Sequence, residues 1–407
     1  MTTDPKTAGM ELAEAPQKQA PQTKHGWWAA MRDTTPPVPD VTPKQYAAMS
    51  KSERFTYNTL RKNHHESLAC IETRHLQDAT DALTQRFMTL AGSRTVCCGG
   101  MLISGPACAG KSTTLIHFGQ QIEAGLRAGK KLQLHDADEP PARLPNGAEY
   151  VPVIYLTLTT QVVPTLENIA RFYIPNLPLG RRRNRSDLLA MISDLVYQSE
   201  TRLILLDQVQ NLRSATVGVQ AVSDVLKDLM DACPSTMIAG AGIDLQRLTL
   251  FQASTSTGGQ DLAQTANRFA LHPMGNYDTS TKEGITDWVR LLRSVETHLV
   301  LHNHQDKDLV NMRDQLHERT HGLTGVIMPL LRAAANRAIE DGSERITKDT
   351  IDSVYTTVMQ DINADFIDVG KPRTPAAVAP KKRAKPKKRT VPNALRGTPS
   401  PNVEATR

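Results

Sequence analysis

The run Gly105-Pro106-Ala107-Cys108-Ala109-Gly110-Lys111-Ser112 sets two glycines, a lysine and a hydroxyl at the spacing G-x-x-x-x-G-K-[ST]. That spacing suits one kind of chemistry. A glycine-rich turn lets backbone N–H groups converge on phosphate oxygens, and a helix opening directly after it adds the positive end of its dipole. Lys111 then supplies a point charge for β- and γ-phosphate oxygens, Ser112 a hydroxyl ligand for Mg²⁺, and Thr113 a further phosphate contact. Residues 105–113 are therefore expected to bind ATP with Mg²⁺.

Such a loop needs a second carboxylate to orient the metal, placed at the end of a neighbouring buried strand. Leu203-Ile204-Leu205-Leu206-Asp207 supplies one in Asp207. The next residue is Gln208, where many ATPases carry glutamate. An amide can orient water but cannot take its proton, so slow hydrolysis is expected. Arg268, in the segment DLAQTANRFA, stands where an arginine finger at a subunit interface would be expected, an ordinary surface arginine being the other reading. Arg181, Arg182, Arg183 and Arg185 form a cluster just ahead of a helix predicted to open at Ser186. Positive charge there opposes the helix dipole, whereas arginine pairs well with phosphate oxygens, so nucleic-acid contact is one reading and a solvated face the other.

These residues need a scaffold that brings strand ends together. The apolar run Cys97–Ser104 predicts a buried strand feeding the loop, and a helix is expected from Lys111 to Gly129. Further strands are expected at Val151–Thr157, Leu203–Asp207 and Thr236–Gly240. Helical patterns separate them at Leu166–Tyr173, Ser186–Gln198 and Gly218–Ala232. Alternation of this kind predicts an α/β fold, and with the loop it predicts a P-loop NTPase parallel sheet flanked by helices. After about Tyr277 the pattern turns wholly helical and predicts a C-terminal helical bundle, with Thr347 capping the last helix. Pro329 would fall inside a helix capped by Thr324. The expected organisation is a disordered N-terminal arm over residues 1–41 with an isolated Trp27–Trp28 pair free to dock on a partner, and a helical collar over 42–92. The α/β core follows over 93–277, then the helical lid over 278–366 and a disordered basic tail over 367–407.

Composition narrows the setting. Five cysteines, an odd number with no C-x-x-C pair, fit neither a disulfide framework nor a zinc site in this chain of 407 residues. The first residues lack the apolar stretch of a signal peptide and no run approaches a membrane span, so a cytoplasmic protein without membrane partners is expected. The net charge of +6 is concentrated in Lys371–Arg389, which holds nine Lys or Arg and no acid. The charge favours a polyanionic partner without identifying one: the tail could slide on DNA or serve solubility.

With these elements in place the sequence resembles the AAA+ ATPases of bacterial transposition, the TniB and TnsC group, related in role to MuB. The resemblance runs from about Arg54 to Ile351. It is carried by RFTYN at 54–58, HHESLACIETRHLQ ahead of the first strand, SGPACAGKSTTL, VPVIYLTL, LILLDQVQNL and LTGVIMPLLRAAANRAIEDGSERIT. It implies an AAA+ core with a C-terminal helical lid, assembly on target DNA as an ATP-bound homo-oligomeric ring or filament, recruitment or activation of a transposase, and a trans-acting role for Arg268. Three positions depart from the pattern. Gln208 replaces the usual glutamate, the fourth strand ends AGAG without a polar sensor, and Met328 stands where a lid arginine is usual, with Arg332 one turn later. A P-loop switch in signalling or defence that binds protein partners and not DNA is the alternative reading. A small-molecule kinase fits less well, because the helical C-terminal region carries no compact substrate motif.

Overall fold

The computed structural model describes residues 21–32, 37–66, 71, 73–92, 99–132, 141–177, 183–212, 220–247 and 268–362. The basic tail, Arg181, Arg182, Cys97 and Cys98 lie outside the described residues. Five strands, β1 (Gly100–Ser104), β2 (Val153–Thr157), β3 (Leu203–Asp207), β4 (Met237–Gly242) and β5 (Phe269–Pro273), form a parallel sheet in the order β2-β3-β4-β1-β5. β1, β3 and β4 are buried along their whole length, which is why they read as unbroken apolar or small-residue runs. The register sets Ser104 opposite both Gly242 and Pro273, and Thr157 opposite Asp207, so the strand ends carrying the polar residues are level.

Helices α5 (Lys111–Lys130), α6 (Val162–Tyr173), α7 (Arg185–Gln198) and α8 (Gln220–Ala232) connect the strands. Their apolar faces close one core with Leu102, Ile103, Leu115, Phe118, Ile154 and Leu206 fully or almost fully buried in it. This is an α/β fold, a five-stranded parallel sheet flanked by helices. β5 was not legible as a strand. Phe269-Ala270-Leu271 is a short apolar run, its far end is half exposed, and only pairing with β1 fixes it as an edge strand.

The C-terminal part is a helical lid: α9 (Lys282–Glu296), α10 (Asp308–Asn311), α11 (Arg313–Thr320), α12 (Thr324–Glu340) and α13 (Lys348–Asp361). It closes a second core around Trp288, Leu292, Leu316, Ile327, Leu331 and Ile351. Thr347 caps α13, its hydroxyl accepting from the Thr350 N–H. Thr324 is not the cap of α12. Leu323 holds that place, and Pro329 lies inside the second turn without ending the helix. No described helix is long and apolar enough to cross a membrane.

Two expectations about the N-terminal region are corrected. Within the supposed free arm, Lys24–Arg32 form a helix, α1, with Trp27 wholly buried and Trp28 nearly so. The tryptophans dock on this chain's own core. The supposed collar is not one unit either. α2 (Pro43–Ala48) and α3 (Lys51–Glu66) belong with the lid, since α3 packs on α12, while α4 (Arg74–Gly92) packs on α5 and β1. The chain crosses from lid to core between residues 66 and 74.

A buried ion pair fixes α3 to the lid. Arg61, with no exposed surface, donates to both carboxylate oxygens of Glu344 at 2.6 and 2.9 Å, and its guanidinium lies 5.1 Å from the Tyr46 ring and 4.9 Å from the Tyr57 ring. Beside it His65 accepts from the Val300 N–H at 3.0 Å. Burial pushes its imidazole down to about 4, so it stays neutral. Arg61→Ala is expected to lower the unfolding free energy by about 3–5 kcal/mol, because Glu344 remains buried without a counter-charge. Lys62→Ala, which removes the exposed pair to Glu340, is expected to cost about 1 kcal/mol or less. Urea denaturation of both variants checks the contrast.

Candidate functional site

β1 ends at Ser104, and the chain turns through Gly105–Gly110 directly into α5. The loop thus lies at the carboxyl ends of the strands, where β1 has β4 on one side and β5 on the other, the switch point at which open α/β sheets bind ligands. Two features force its sequence. A Cβ at Gly105 would lie 1.8 Å from the Met274 carbonyl oxygen, and Gly110, which precedes α5, has φ of 92°. Cys108 also takes a positive φ, 60°. Its carbonyl accepts from the Gly325 N–H at 2.7 Å, which ties the first turn of α12 to the loop.

Lys111 is buried, and its ammonium donates to the Pro106 carbonyl. Burial pushes the ammonium's pKa down, while the Asp207 carboxylate pulls it back up. A buried cation at the N-terminus of a 20-residue helix is a strong electrostatic seat for phosphate. Ser112 is exposed and Thr113 half-buried at the start of that helix, so both hydroxyls are within the loop's reach.

Asp207, 6% exposed, closes the site at the end of β3. Its Oδ2 accepts from the Tyr155 hydroxyl at 2.8 Å and its Oδ1 from the Gln208 backbone N–H at 2.8 Å. Each carboxylate oxygen can accept more than one hydrogen bond, so both keep capacity for a metal or its water. Ser112 and Asp207 together offer hard oxygen donors, which suit Mg²⁺. Burial and the Asp207 charge both push the Tyr155 hydroxyl pKa up, so it remains a donor.

Gln208 turns out of β3 with φ of 54° and an exposed side chain. Its amide oxygen accepts from Asn211 Nδ2 at 2.7 Å, which leaves the amide N–H groups to donate. A side chain held in this way can point hydrogen at an anion or a water; it has no basic atom to offer.

Beside the loop, a cavity of about 210 Å³ is bounded by Ile71, Thr73, Gly110, Met274, Met328 and Arg332. Its walls are mostly apolar, and one is the α5 N-terminus, which suits a flat apolar group attached to phosphates. Arg332 reaches this cavity although Met328 holds the position one turn earlier, and its guanidinium donates to the Glu66 carbonyl at 2.9 Å.

The remaining candidates lie elsewhere. Arg268 precedes β5, at the end of the sheet away from the loop, and pairs with Asp231 at 2.8 Å. It serves no part of this chain's own loop. Asn184, not Ser186, begins α7: its side chain accepts from the Asp187 N–H at 2.8 Å. Arg185 is therefore the first helical residue and pairs with Asp228 at 2.5 Å, so its charge is already matched, while Arg183 is half-buried beside it. The sequence pattern did not bring out Tyr155, Met274 or the Ile71–Thr73 linker. Tyr155 had one usable signal, a hydroxyl inside an otherwise apolar strand, which must find a partner when buried.

No protein-family model and no curated protein sequence matches the chain. Among solved structures it is similar to Cdc6p from Pyrobaculum aerophilum, at 16% identity over 73% of this chain and 69% of that one, with a TM-score of 0.47. Similar too are the Orc1 protein of Aeropyrum pernix solved in complex with DNA, at 14% identity over 74% and 70% with a TM-score of 0.48, and domain III of the Thermotoga maritima replication initiation protein DnaA, at 12% identity over 72% and 95% with a TM-score of 0.39.

The contact between α12 and the loop leaves no room for a side chain, since a Cβ at Gly325 would lie 2.8 Å from the Cys108 carbonyl oxygen. Gly325→Ala is expected to push the lid off the loop and weaken nucleotide binding by about tenfold with little loss of overall stability, at roughly 1.4 kcal/mol per decade. Titration with a fluorescent ATP analogue, paired with thermal melting, checks this.

Proposed function

We propose that this chain is an ATP- and Mg²⁺-dependent switch that assembles on duplex DNA during transposition and recruits or activates a transposase, hydrolysing ATP slowly. The observation that carries the nucleotide part is the buried Lys111 ammonium, set at the start of α5 and within the field of Asp207. In this reading residues 105–113 hold the phosphates, the apolar cavity takes the base, and Ser112 and Asp207 hold Mg²⁺. The metal, when bound, neutralises charge on the phosphate oxygens.

Gln208 accounts for slow turnover. With its amide oxygen on Asn211, its N–H groups can hold a water in line but no group at this position accepts the water's proton. An ATP-bound assembly of that kind persists until a partner triggers its release. Arg268 fits a finger supplied to a neighbouring subunit, because it stands far from its own loop. The Gly325–Cys108 contact gives the lid a direct route by which loop occupancy alters the assembly surface.

DNA binding rests on charge. The nine basic residues of Lys371–Arg389 form the main electrostatic footprint, and Arg181, Arg182 and Arg183 supply a second. Arg185 contributes less, being paired with Asp228. The role in transposition rests on the resemblance of the quoted segments to the TniB and TnsC group.

Lys111→Ala is expected to abolish ATP binding and any ATP-dependent assembly on DNA. In a filter-binding series the logarithm of the wild-type DNA affinity should fall linearly with the logarithm of salt, as contacts to several phosphates require. Binding that is absent, or indifferent to salt, would instead favour a switch for protein partners. Gln208→Glu keeps an oxygen for Asn211 and adds a base, so hydrolysis should rise by about 100-fold. Steady-state ATPase assays with and without duplex DNA and transposase measure it, and brisk DNA-independent turnover by the wild-type monomer would count against the proposal.

A further inference from the structure

The N-terminal helix α1 has no part in the function argued so far, yet it reaches the nucleotide site by a short chain of contacts. Trp27 and Trp28 both donate their indole N–H groups to Glu123 of α5, at 2.5 and 3.2 Å, and Glu123 is wholly buried against Arg127, whose Nε donates to it at 2.8 Å. Two further ties hold the helix down: Gln120 donates to the Ala30 carbonyl at 3.1 Å, and Lys24 pairs with Glu149. Packing is equally close, since a Cβ at Gly119 would lie 2.9 Å from the Trp27 ring. Glycine at this point of α5 gives the indole its seat.

Trp27 in turn stacks on Tyr155, with ring centroids 5.9 Å apart and planes inclined by 16°. Tyr155 pairs with Leu205 in the sheet register, so it shares a face with Asp207 two residues further along β3. Its hydroxyl donates to Asp207 Oδ2 at 2.8 Å. Just before α1, Gln22 donates to the hydroxyl of Thr157, the residue directly opposite Asp207, at 2.9 Å. Two routes thus run from the N-terminal segment to the end of β3, and both arrive beside the same carboxylate.

We propose that Tyr155 is a positioning residue for Asp207, and that α1, through Trp27, holds Tyr155 in place. A carboxylate that is free to rotate presents its oxygens to a metal only part of the time. Here the Gln208 N–H fixes Oδ1 and the Tyr155 hydroxyl fixes Oδ2, so the remaining acceptor directions of both oxygens are set in advance. Outer hydrogen bonds of this type commonly govern metal affinity by about 10–100-fold. The Tyr155 ring itself is kept from turning by the flat face of Trp27, whose own orientation is fixed by the buried Glu123. Residues 24–32 are therefore a structural part of the metal site, although they are more than seventy residues from the phosphate loop in sequence.

This inference rests on the reading of Asp207 as the metal carboxylate, so the experiment includes a variant that tests that reading alone. In the full chain, binding of a fluorescent ATP analogue is titrated with Mg²⁺ and repeated in EDTA. Tyr155→Phe keeps the stack on Trp27 and removes only the hydroxyl. It is expected to raise the Mg²⁺ midpoint about tenfold with binding in EDTA unchanged. Trp27→Ala is expected to move the midpoint in the same direction, and Asp207→Asn to move it further. An unshifted Tyr155→Phe beside a shifted Asp207→Asn overturns the positioning role. A shift in Tyr155→Phe but none in a folded Trp27→Ala overturns the role of α1. An unshifted Asp207→Asn overturns the assignment of the metal carboxylate, and the inference with it.

Discussion

The loop from Gly105 to Gly110 is held between two backbone segments that approach too closely for any side chain. On the core side the Met274 carbonyl abuts Gly105, and the Met274 N–H donates to Ser104 at 2.7 Å. On the lid side the Gly325 N–H donates to Cys108 at 2.7 Å. Backbone pressed on backbone gives little freedom to adjust, so a change in the loop must displace β5's exit, the lid, or both. That constraint links the α/β core and the helical lid more directly than their separate apolar clusters do.

The N-terminal region is organised around the same junction. α3 is fixed to the lid by the buried Arg61–Glu344 pair, and α4 is packed on the core. Ile71 and Thr73, of the linker between α3 and α4, line the cavity beside the Gly105–Gly110 loop. Arg332 adds a tie from α12 to Glu66 at the end of α3. A ligand in the cavity therefore touches core, linker and lid at once. Further along the sheet α1 is bound to α5 through Glu123 and to Tyr155 of β2, and so belongs mechanically with the strand ends.

Charge is used differently in the interior and at the surface. Inside, Lys111, Asp207, Glu123 and Arg127 are each held by named hydrogen bonds, as the cost of burying charge requires. At the surface, Arg185 and Arg268 are matched by Asp228 and Asp231, both on α8. Both pairs bring positive segments against one helix.

By itself the sequence determined the glycine-rich loop between a strand and a helix, the placing of Asp207 and its neighbour Gln208 at a strand end, the parallel α/β core and the C-terminal helices. These are set by short-range rules: motif spacing, apolar runs long enough for a buried strand, and helical periodicity. The tertiary structure decided what depends on distant pairs. Trp27 finds Glu123 across 96 positions and Arg61 finds Glu344 across 283, so no local pattern could show that α1 belongs to the core and α3 to the lid. β5 gains its identity only by pairing with β1. Tyr155 is one polar atom in an apolar strand until β3 brings Asp207 within hydrogen-bonding distance. Burial makes such groups choose a partner, and only the folded chain shows which partner is near.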